Sequence, residues 1–352
     1  MSIRINPLGT AAAEILGLDC SQPFTDQTFQ LVESAFLDYP VLVFRDQLLS
    51  ATDVARFGRR FGQLEGYGNP ATAAGNKTEA PKPQLAALRE IEGRETPDLR
   101  LYISPENPDV LIMSNEIRSD LNAIAIVDNA ETWHSDASHR AQPCKAIILY
   151  AIRNPSVGGD TEFCDMRAVY DALTAALKAE LTGRTAIHHW SKSRNPRFAG
   201  ALDASARQEG ERIASLVPEM QQPLVRTHPQ TGRPSLYVSP RFTLRIEGLS
   251  QERSEMLLAE IFALAEEARF HYRHEWRDND LVLWDNRCLN HRVRFFPTHD
   301  VRRRLRVSIA GDPPFYTPAL LTRTTDMARV DRPEEGRGPA QRLGSPALIA
   351  AA

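Results

Sequence analysis

Short apolar segments with the character of β-strands recur along this chain, and they do not alternate regularly with helices. They are VLVF at 41–44, AIILYAI at 146–152, SLYV at 235–238, LVLW at 281–284 and LRVSI at 305–309. A doubly wound sheet requires regular alternation of strand and helix. The pattern therefore disfavours that fold, and it favours a β-sandwich or barrel core with helices packed outside it.

Four segments have apolar residues at helical spacing. This periodicity predicts helices over 25–38, 50–61, 165–181 and 250–269. The second of them begins with SATD, which resembles a capping box. Together with the strands, these helices predict a mainly β protein with flanking helices.

The domain organisation follows from length and from local composition. A chain of 352 residues can form one large domain or two small ones. The segment 65–109 is rich in Pro, Ala, Gly, Glu and Lys, and a loop of that length inside a domain is typically a functional lid or disordered. The polar segment 191–222 is a similar excursion. We expect one domain over 1–312 with a lid insertion at 65–131, followed by an irregular C-terminal arm at 313–352.

Charge and cysteine content argue against several classes of protein. The net charge of −3 indicates no general affinity for nucleic acid or for an anionic membrane. No apolar segment approaches the roughly 18 residues of a membrane helix, and the N-terminus does not resemble a signal peptide. The four cysteines are far apart, which favours free thiols over a disulfide or zinc site. We expect a cytoplasmic homo-oligomer, a dimer or tetramer, that acts on a small molecule.

Two histidines and a carboxylate are candidate metal ligands. On a strand, His134 and Asp136 of the WHSD segment would point to the same side. The segment WDNRCLNH begins at the end of the LVLW strand and ends in His291. Two histidines and one carboxylate form the facial triad of non-haem iron(II) oxygenases, which leaves positions for an oxo acid and dioxygen. The H-x-D pair alone is a weak indication, because any two polar residues on a solvated strand would look the same.

An arginine cluster, RRRLR at 302–306, is the third chemical feature. On a strand, Arg302, Arg304 and Arg306 would share one face and Arg303 would point away. Arginine bonds carboxylate oxygens in pairs, so it suits the distal carboxylate of a bound 2-oxo acid. A basic edge strand facing solvent is the alternative, and the cluster alone does not decide between them.

Together these segments resemble the taurine / 2,4-dichlorophenoxyacetate dioxygenase family (TauD/TfdA), and the resemblance covers most of the chain. In order, the matching segments are INPLG at 5–9, VLVFRDQ at 41–47, RFGQLEG at 60–66, WHSD at 133–136, GGDTEFCDMRAVYDAL at 158–173, THPQTGRPSLYV at 227–238, WDNRCLNH at 284–291 and GD at 311–312. The family implies a double-stranded β-helix, or jelly-roll, core. It also implies an enzyme that uses Fe(II), 2-oxoglutarate and O2.

The resemblance implies roles for individual residues. The family's iron ligands match the candidate triad. Thr161 matches the hydroxyl that helps to hold 2-oxoglutarate, and Arg302 matches the arginine that binds its distal carboxylate. Arg306 matches an arginine placed near the oxo acid and the anionic group of the substrate. Arg304 has no such match, although a register slip of one pair would exchange its role with that of Arg302.

The substrate pocket is less well defined by the resemblance. The taurine branch has a histidine for the sulfonate where this chain has Tyr67, and this argues against taurine itself. We expect Phe242 to supply an apolar wall and Ala137 to lie beside the substrate. The family's asparagine before the WH dipeptide is replaced by Ala130, and the neighbouring Asn129 is a candidate substitute.

Residues around the triad are expected to support it. Trp133 and Trp284 should pack beneath the ligands, while Asp285 and Asn286 should organise the turn before His291. The other seven histidines match no ligand position, so surface or supporting positions are expected for them.

The resemblance implies hydroxylation of a C–H bond in a small anionic substrate, with release of succinate and CO2. Aryloxy or alkyl carboxylates, sulfonates and sulfate esters are the substrate classes it favours. One alternative is a biosynthetic tailoring oxygenase of the same class that acts on a neutral or larger metabolite. A non-oxidative metal hydrolase or a non-catalytic binding protein are others, but the arginines, GGDT and the complete triad argue against them.

Overall fold

In the computed structural model of the chain, the described residues are 3–66, 103–115, 131–189, 218–297 and 299–318. Within these ranges the fold is mainly β, as predicted, with fifteen strands and five α-helices. The strands are β1 Arg4–Pro7, β2 Ala12–Leu16, β3 Val41–Phe44, β4 Leu111–Ser114, β5 Ala146–Arg153, β6 Thr161–Asp165, β7 Thr185–His188, β8 Met220–Pro223, β9 Val225–Thr227, β10 Pro234–Leu236, β11 Thr243–Ile246, β12 His271–His274, β13 Leu281–Asp285, β14 Leu289–Val293 and β15 Arg303–Ile309. The helices are α1 Asp26–Asp38, α2 Ala51–Phe61, α3 Met166–Ala172, α4 Ala175–Leu181 and α5 Gln251–Ala265.

The largest sheet has seven strands in the order β1-β2-β3-β13-β5-β15-β4. Its central strands are buried on both faces, because consecutive residues contribute to different cores. Leu281 and Leu283 of β13 face one hydrophobic cluster, which α1 and α2 cover, whereas Val282 and Trp284 face another. Full burial of one such side chain contributes roughly 1.5–3 kcal/mol, so burial on both faces stabilises the sheet strongly.

A small sheet, β12-β6-β14, packs against the second face of the large sheet. Phe163 of β6 and Leu289 of β14 share a hydrophobic cluster with Ile147 of β5 and Trp284 of β13. A third sheet, β11-β7-β8, and the β9-β10 hairpin lie in a separate cluster with α3 and α5. Because β14 carries His291, this packing places a predicted ligand next to the inner face of the large sheet.

Helix boundaries confirm some predictions and correct others. The capping box of α2 is present, since the Ser50 side chain accepts from the Asp53 backbone and the Asp53 side chain accepts from the Ser50 backbone. The single helix predicted over 165–181 is wrong. The chain leaves the helix at Leu173, and Thr174 caps a new helix by accepting from the Leu177 backbone N–H.

The strand at the arginine cluster is an interior one. β15 lies between β5 and β4, and both Arg302 and Arg304 are buried. The alternative of a solvent-facing basic edge strand is therefore wrong. The partner β4 belongs to the segment 65–131 that was predicted as a lid insertion, and it pairs with β15 at the end of the large sheet.

Several predictions lie outside the described residues. They concern the rest of the lid, at 67–102 and 116–130, together with Tyr67 and Asn129. Most of the polar excursion and most of the C-terminal arm also lie outside, at 190–217 and 319–352. All four cysteines are buried free thiols, as predicted. Among the described residues, no helix is long and apolar enough to cross a membrane.

Candidate active site

The structure brings the three predicted metal ligands together. One donor atom from each of His134, Asp136 and His291 lies within 4.8 Å of the others. Nε2 of His134 is 3.8 Å from Oδ1 of Asp136, and Nε2 of His291 is 3.5 Å from Oδ2. Two imidazoles and one carboxylate at this spacing fit a single metal ion, with the rest of its coordination sphere open.

Backbone pairing fixes the two histidines. His134 N–H donates to His291 C=O at 3.0 Å, and His291 N–H donates to His134 C=O at 2.8 Å. The WHSD segment is not a strand here, because this pair is an isolated bridge and the chain turns at once. At Ala137 the backbone enters the left-handed region, with φ 58. Ala137 therefore bends the chain directly after the carboxylate ligand.

Asn286 holds that bend from the opposite segment. Its Oδ1 accepts from the Asp136 N–H at 2.8 Å, and its Nδ2 donates to the Asp136 C=O at 2.8 Å. Nδ2 also donates to the Cys144 C=O at 2.8 Å. The predicted role of Asn286 was to organise its own turn, but it also fixes the backbone of a ligand 150 residues away. Such support around a ligand is typical of functional metal sites.

Protonation of the histidines suits metal binding. Nδ1 of His134 is 2.8 Å from the Thr132 C=O, to which it donates, so Nε2 keeps its lone pair. Burial, with His291 and Arg241, lowers the pKa of His134 well below its usual value. Burial also lowers the pKa of His291 to about 4. Both rings are neutral near pH 7, which is the form that binds a metal.

The carboxylate ligand has a cationic partner that the sequence did not predict. NH2 of Arg306 donates to Oδ2 of Asp136 at 3.0 Å. Burial opposes ionisation of Asp136, but Arg306 and the two histidines outweigh it and lower the pKa of this carboxyl. Asp136 is therefore ionised, and one guanidinium orients it.

Arg302 has the opposite character, since its charge is not matched. Its backbone N–H donates to Oδ1 of Asn115 at 2.7 Å, and its guanidinium lies 5.6 Å from the Phe296 ring. Within the described part of the chain, its side chain has no ion pair and no hydrogen bond, and Nε is buried without a partner. Burial lowers its pKa to about 10, so it is still a cation at pH 7. A buried guanidinium without an anion is costly, and a bound carboxylate would offset that cost.

Thr161 begins β6 and is buried. Its Oγ1 accepts from Nε1 of Trp276 at 3.0 Å. Two glycines precede the strand, and both Gly158 and Gly159 have φ 75. A side chain at Gly158 would collide with the Phe295 C=O, so only glycine allows this close approach.

The decisive comparison is with a protein family. The profile described as "Taurine catabolism dioxygenase TauD, TfdA family" matches residues 4–308. The chain belongs to this family of dioxygenases. The family that the sequence motifs implied is thereby confirmed.

Individual relatives agree with this assignment. The chain is 35% identical over 308 residues to the alpha-ketoglutarate-dependent 2,4-dichlorophenoxyacetate dioxygenase of Cupriavidus pinatubonensis, which covers 87% of this chain and 96% of the relative. It is 33% identical to the (S)-phenoxypropionate/alpha-ketoglutarate-dioxygenase of Sphingobium herbicidovorans, over 80% of this chain and 86% of the relative. The crystal structure of AAD-2 in complex with Mn(II) and N-oxalylglycine is similar with a TM-score of 0.67 at 30% identity, covering 90% of this chain and 100% of that one.

Aromatic rings line the metal site of this dioxygenase. The Phe242 ring is buried, with its centroid 6.1 Å from that of His134 and 5.0 Å from that of His139. The Trp284 ring packs 5.0 Å from His291, as expected. Trp133 differs from the expectation, because its ring packs against His271 and Arg292 and its Nε1 donates to Glu266.

Arg241 is a residue of this site that the sequence analysis missed. It is buried beside Phe242, and its backbone N–H donates to the Trp133 C=O at 3.4 Å. Its charge adds to burial in lowering the pKa of both histidine ligands, and it also lowers that of Asp136. A charged residue within the otherwise apolar and small VSPRF segment was the available signal.

The remaining seven histidines do not join the metal group, as predicted. They are mostly buried rather than on the surface. Nε2 of His228 donates to Oδ2 of Asp285 at 3.0 Å, and His188 lies 3.0 Å from the Ser138 hydroxyl. These histidines stabilise the polar interior around the site.

Proposed function

We propose that this dioxygenase oxidises a C–H bond of a small anionic molecule and converts 2-oxoglutarate to succinate and CO2. His134, Asp136 and His291 would hold Fe(II). When bound, the iron would supply the redox chemistry that couples decarboxylation of 2-oxoglutarate and reduction of O2 to oxidation of the substrate, with one oxygen atom ending in the substrate and the other in succinate. We also infer that the facing sheets belong to a jelly-roll core.

The protein's part is to bind, orient and exclude water. Asn286 fixes the backbone of Asp136, and Arg306 keeps its carboxylate ionised. Arg302 would bond the distal carboxylate of 2-oxoglutarate through its planar fork, supported by the Thr161 hydroxyl. These contacts hold the cosubstrate in one orientation before the substrate binds.

Positive charge around the centre carries the proposal of an anionic substrate. Arg241 acts on both metal-binding histidines and Arg306 acts on His291, while Asp136 acts on both histidines with the opposite sign. A carboxylate, sulfate or sulfonate on the substrate would be attracted to these two cations. Phe242 would supply the apolar wall against which an aryl or alkyl group packs. The names of two similar relatives, which act on aryloxy carboxylates, support the same class.

The test is substrate-dependent succinate release by the full chain with Fe(II), 2-oxoglutarate and O2. A panel should pair each aryloxy or alkyl carboxylate with its neutral amide. We expect the acid to have a kcat/KM at least about tenfold higher, because one charged hydrogen bond contributes roughly 1.5–3 kcal/mol. Arg306→Met should reduce this preference, while Arg245→Met, an exposed control, should keep it.

Two outcomes would contradict the proposal in different ways. Equal turnover of acid and amide would refute the anionic class, and it would favour a tailoring oxygenase for a neutral metabolite. If no member of a wide panel gives succinate and a member is hydrolysed, the oxygenase chemistry itself is refuted.

A further inference from the structure

Arg304 is the most deeply buried cation near the proposed cosubstrate site, and the mechanism above does not use it. Its side chain is 0% exposed. NH1 donates to the carbonyls of Arg153 at 2.7 Å and of Arg303 at 3.3 Å, and NH2 donates to Oδ1 of Asn154. These acceptors are all neutral, and Nε is buried without a partner. The position therefore costs free energy that its own hydrogen bonds only partly offset.

The face of this guanidinium contacts an indole. Cζ of Arg304 lies 4.5 Å from the centroid of the Trp276 ring. On another side, the His274 ring meets Trp276 edge-on, with centroids 4.6 Å apart. A cation over an indole face is attracted to it, and the attraction is stronger in a desolvated place. Arg304 and His274 together fix the plane of the Trp276 ring.

The fixed ring controls the hydroxyl of Thr161. Nε1 of Trp276 can only donate, so Oγ1 of Thr161 is the acceptor in their 3.0 Å contact. The hydroxyl proton of Thr161 must then point elsewhere. Among the described residues no protein acceptor for that proton is found, although the side chain is buried. A buried donor of this kind requires an acceptor from a ligand or water.

Arg302 is linked to Thr161 through Phe296. The guanidinium of Arg302 lies 5.6 Å from the Phe296 ring, and a Cβ at Gly159, two residues before Thr161, would lie 3.7 Å from Cβ of Phe296. Arg302 is the cation that acts electrostatically on Arg304, and its own guanidinium has no described acceptor. Unlike Arg304, it has no neutral acceptors that already occupy its N–H groups. Arg302 can therefore bond a ligand directly, whereas the NH1 and NH2 groups of Arg304 already donate to protein acceptors.

We propose that Arg304 and Trp276 are positioning residues for the cosubstrate: Arg304 fixes the indole, and the indole N–H turns the Thr161 proton toward the distal carboxylate bound by Arg302. This inference rests on the proposed function, since it takes 2-oxoglutarate as the cosubstrate. It predicts that Trp276 and Thr161 act as one unit on the distal carboxylate alone.

The experiment is calorimetry on the full chain loaded with Mn(II), using two probes. N-oxalylglycine carries both the chelating head and a distal carboxylate, whereas N-methyloxamate has a similar head and lacks that carboxylate. Trp276→Phe removes the N–H and keeps a ring, and Arg304→Met removes the charge and keeps the length. Each variant should bind N-oxalylglycine about tenfold more weakly than the wild type, which corresponds to the loss of one hydrogen bond to a charged group. Affinity for N-methyloxamate should stay unchanged.

A double-mutant cycle and a matched control sharpen the test. Thr161→Val alone should lower the affinity for N-oxalylglycine. Adding Trp276→Phe to it should lower that affinity no further, because the indole acts through the Thr161 hydroxyl. Arg226→Met is the control, since Arg226 is also buried and its guanidinium also lies over an aromatic ring, that of Tyr237. Its affinity for N-oxalylglycine should equal that of the wild type.

The outcomes separate this inference from the proposed function. Failure of the wild type to bind N-oxalylglycine would overturn the proposed function and this inference with it. If the wild type binds N-oxalylglycine and Trp276→Phe binds it with the same affinity, the positioning role alone is overturned. Additive losses in the cycle, or equal losses for both probes, would also overturn that role and leave the proposed function standing.

Discussion

Four buried arginines of this protein lie in two regions that differ in their partners. In one region, Arg167 bonds Asp165 through two contacts of 2.9 Å, and Arg287 bonds Asp285 through contacts of 2.8 and 2.6 Å. In the other region, around the start of β15, Arg302 and Arg304 have no carboxylate within ion-pair distance among the described residues. The first region has its counter-charges within the chain, whereas we propose that the second requires a bound anion.

The pKa values follow the same division. Burial by itself would lower the pKa of every one of these guanidinium groups. In the first region, Asp165 and Asp285 outweigh burial and raise the pKa of Arg167 and Arg287. In the second, burial lowers the pKa of Arg302 to about 10, and that of Arg304 falls well below its usual value. The absence of a carboxylate partner among the described residues therefore distinguishes Arg302 and Arg304 from Arg167 and Arg287.

Breaking the paired region should have the largest effect. Asp285→Asn removes the charge that holds Arg287 and His228, leaving a buried guanidinium unpaired. We expect a loss of about 3–5 kcal/mol in the free energy of unfolding. Urea unfolding followed by tryptophan fluorescence measures it.

The double variant Asp285→Leu/Arg287→Met is the control for that experiment. It removes both charges, so it should be more stable than Asp285→Asn. If the single variant loses less than about 1 kcal/mol, which is the size of an exposed pair, the first region is not a structural ion pair.

The ion pairs of the first region could be predicted from sequence alone. Both structural pairs have the spacing D-x-R, in DMR at 165–167 and DNR at 285–287, which lets one residue's carboxylate reach the other's guanidinium. Local spacing is sufficient for such contacts, because the chain itself holds the partners together.

Contacts between distant segments could not be predicted in this way. Asp136 meets Arg306 and Asn286 only because β15 and the β13–β14 turn converge on it in the folded chain. The WHSD segment departs from strand geometry for the same reason, since Asn286 holds it in a bend after one bridge. The triad itself was predicted correctly, because its residue types and motifs carried it.

Changing the unmatched region should affect binding more than stability. Arg302→Leu should weaken binding of N-oxalylglycine to the Mn(II)-loaded protein by about 30-fold or more, as expected when one partner of a buried charge pair is removed. The unfolding free energy of the free protein should stay the same or rise, because an uncompensated buried charge is lost. Calorimetry and urea unfolding on one preparation check both parts.

Arg302→Lys tests the geometry of the same contact. It keeps the charge but loses the fork, so the affinity should lie between those of the wild type and the Leu variant. If Arg304→Leu abolishes binding and Arg302→Leu does not, the roles of the two arginines are exchanged. Marked destabilisation by Arg302→Leu would instead place Arg302 in the structural class.

An exposed pair gives the smallest expected effect, and it sets the scale for the other two. Arg245 bonds Glu219 through two contacts of 2.8 and 2.7 Å, so its geometry equals that of the buried pairs. Both side chains, however, are about half exposed, at 47% and 46%. Water and salt screen the attraction there, so Glu219→Gln should cost well under about 1 kcal/mol, and less still in high salt. Urea unfolding at low and at high ionic strength measures this. A loss as large as that of Asp285→Asn would mean that bidentate geometry, rather than burial, determines what an arginine pair contributes in this protein.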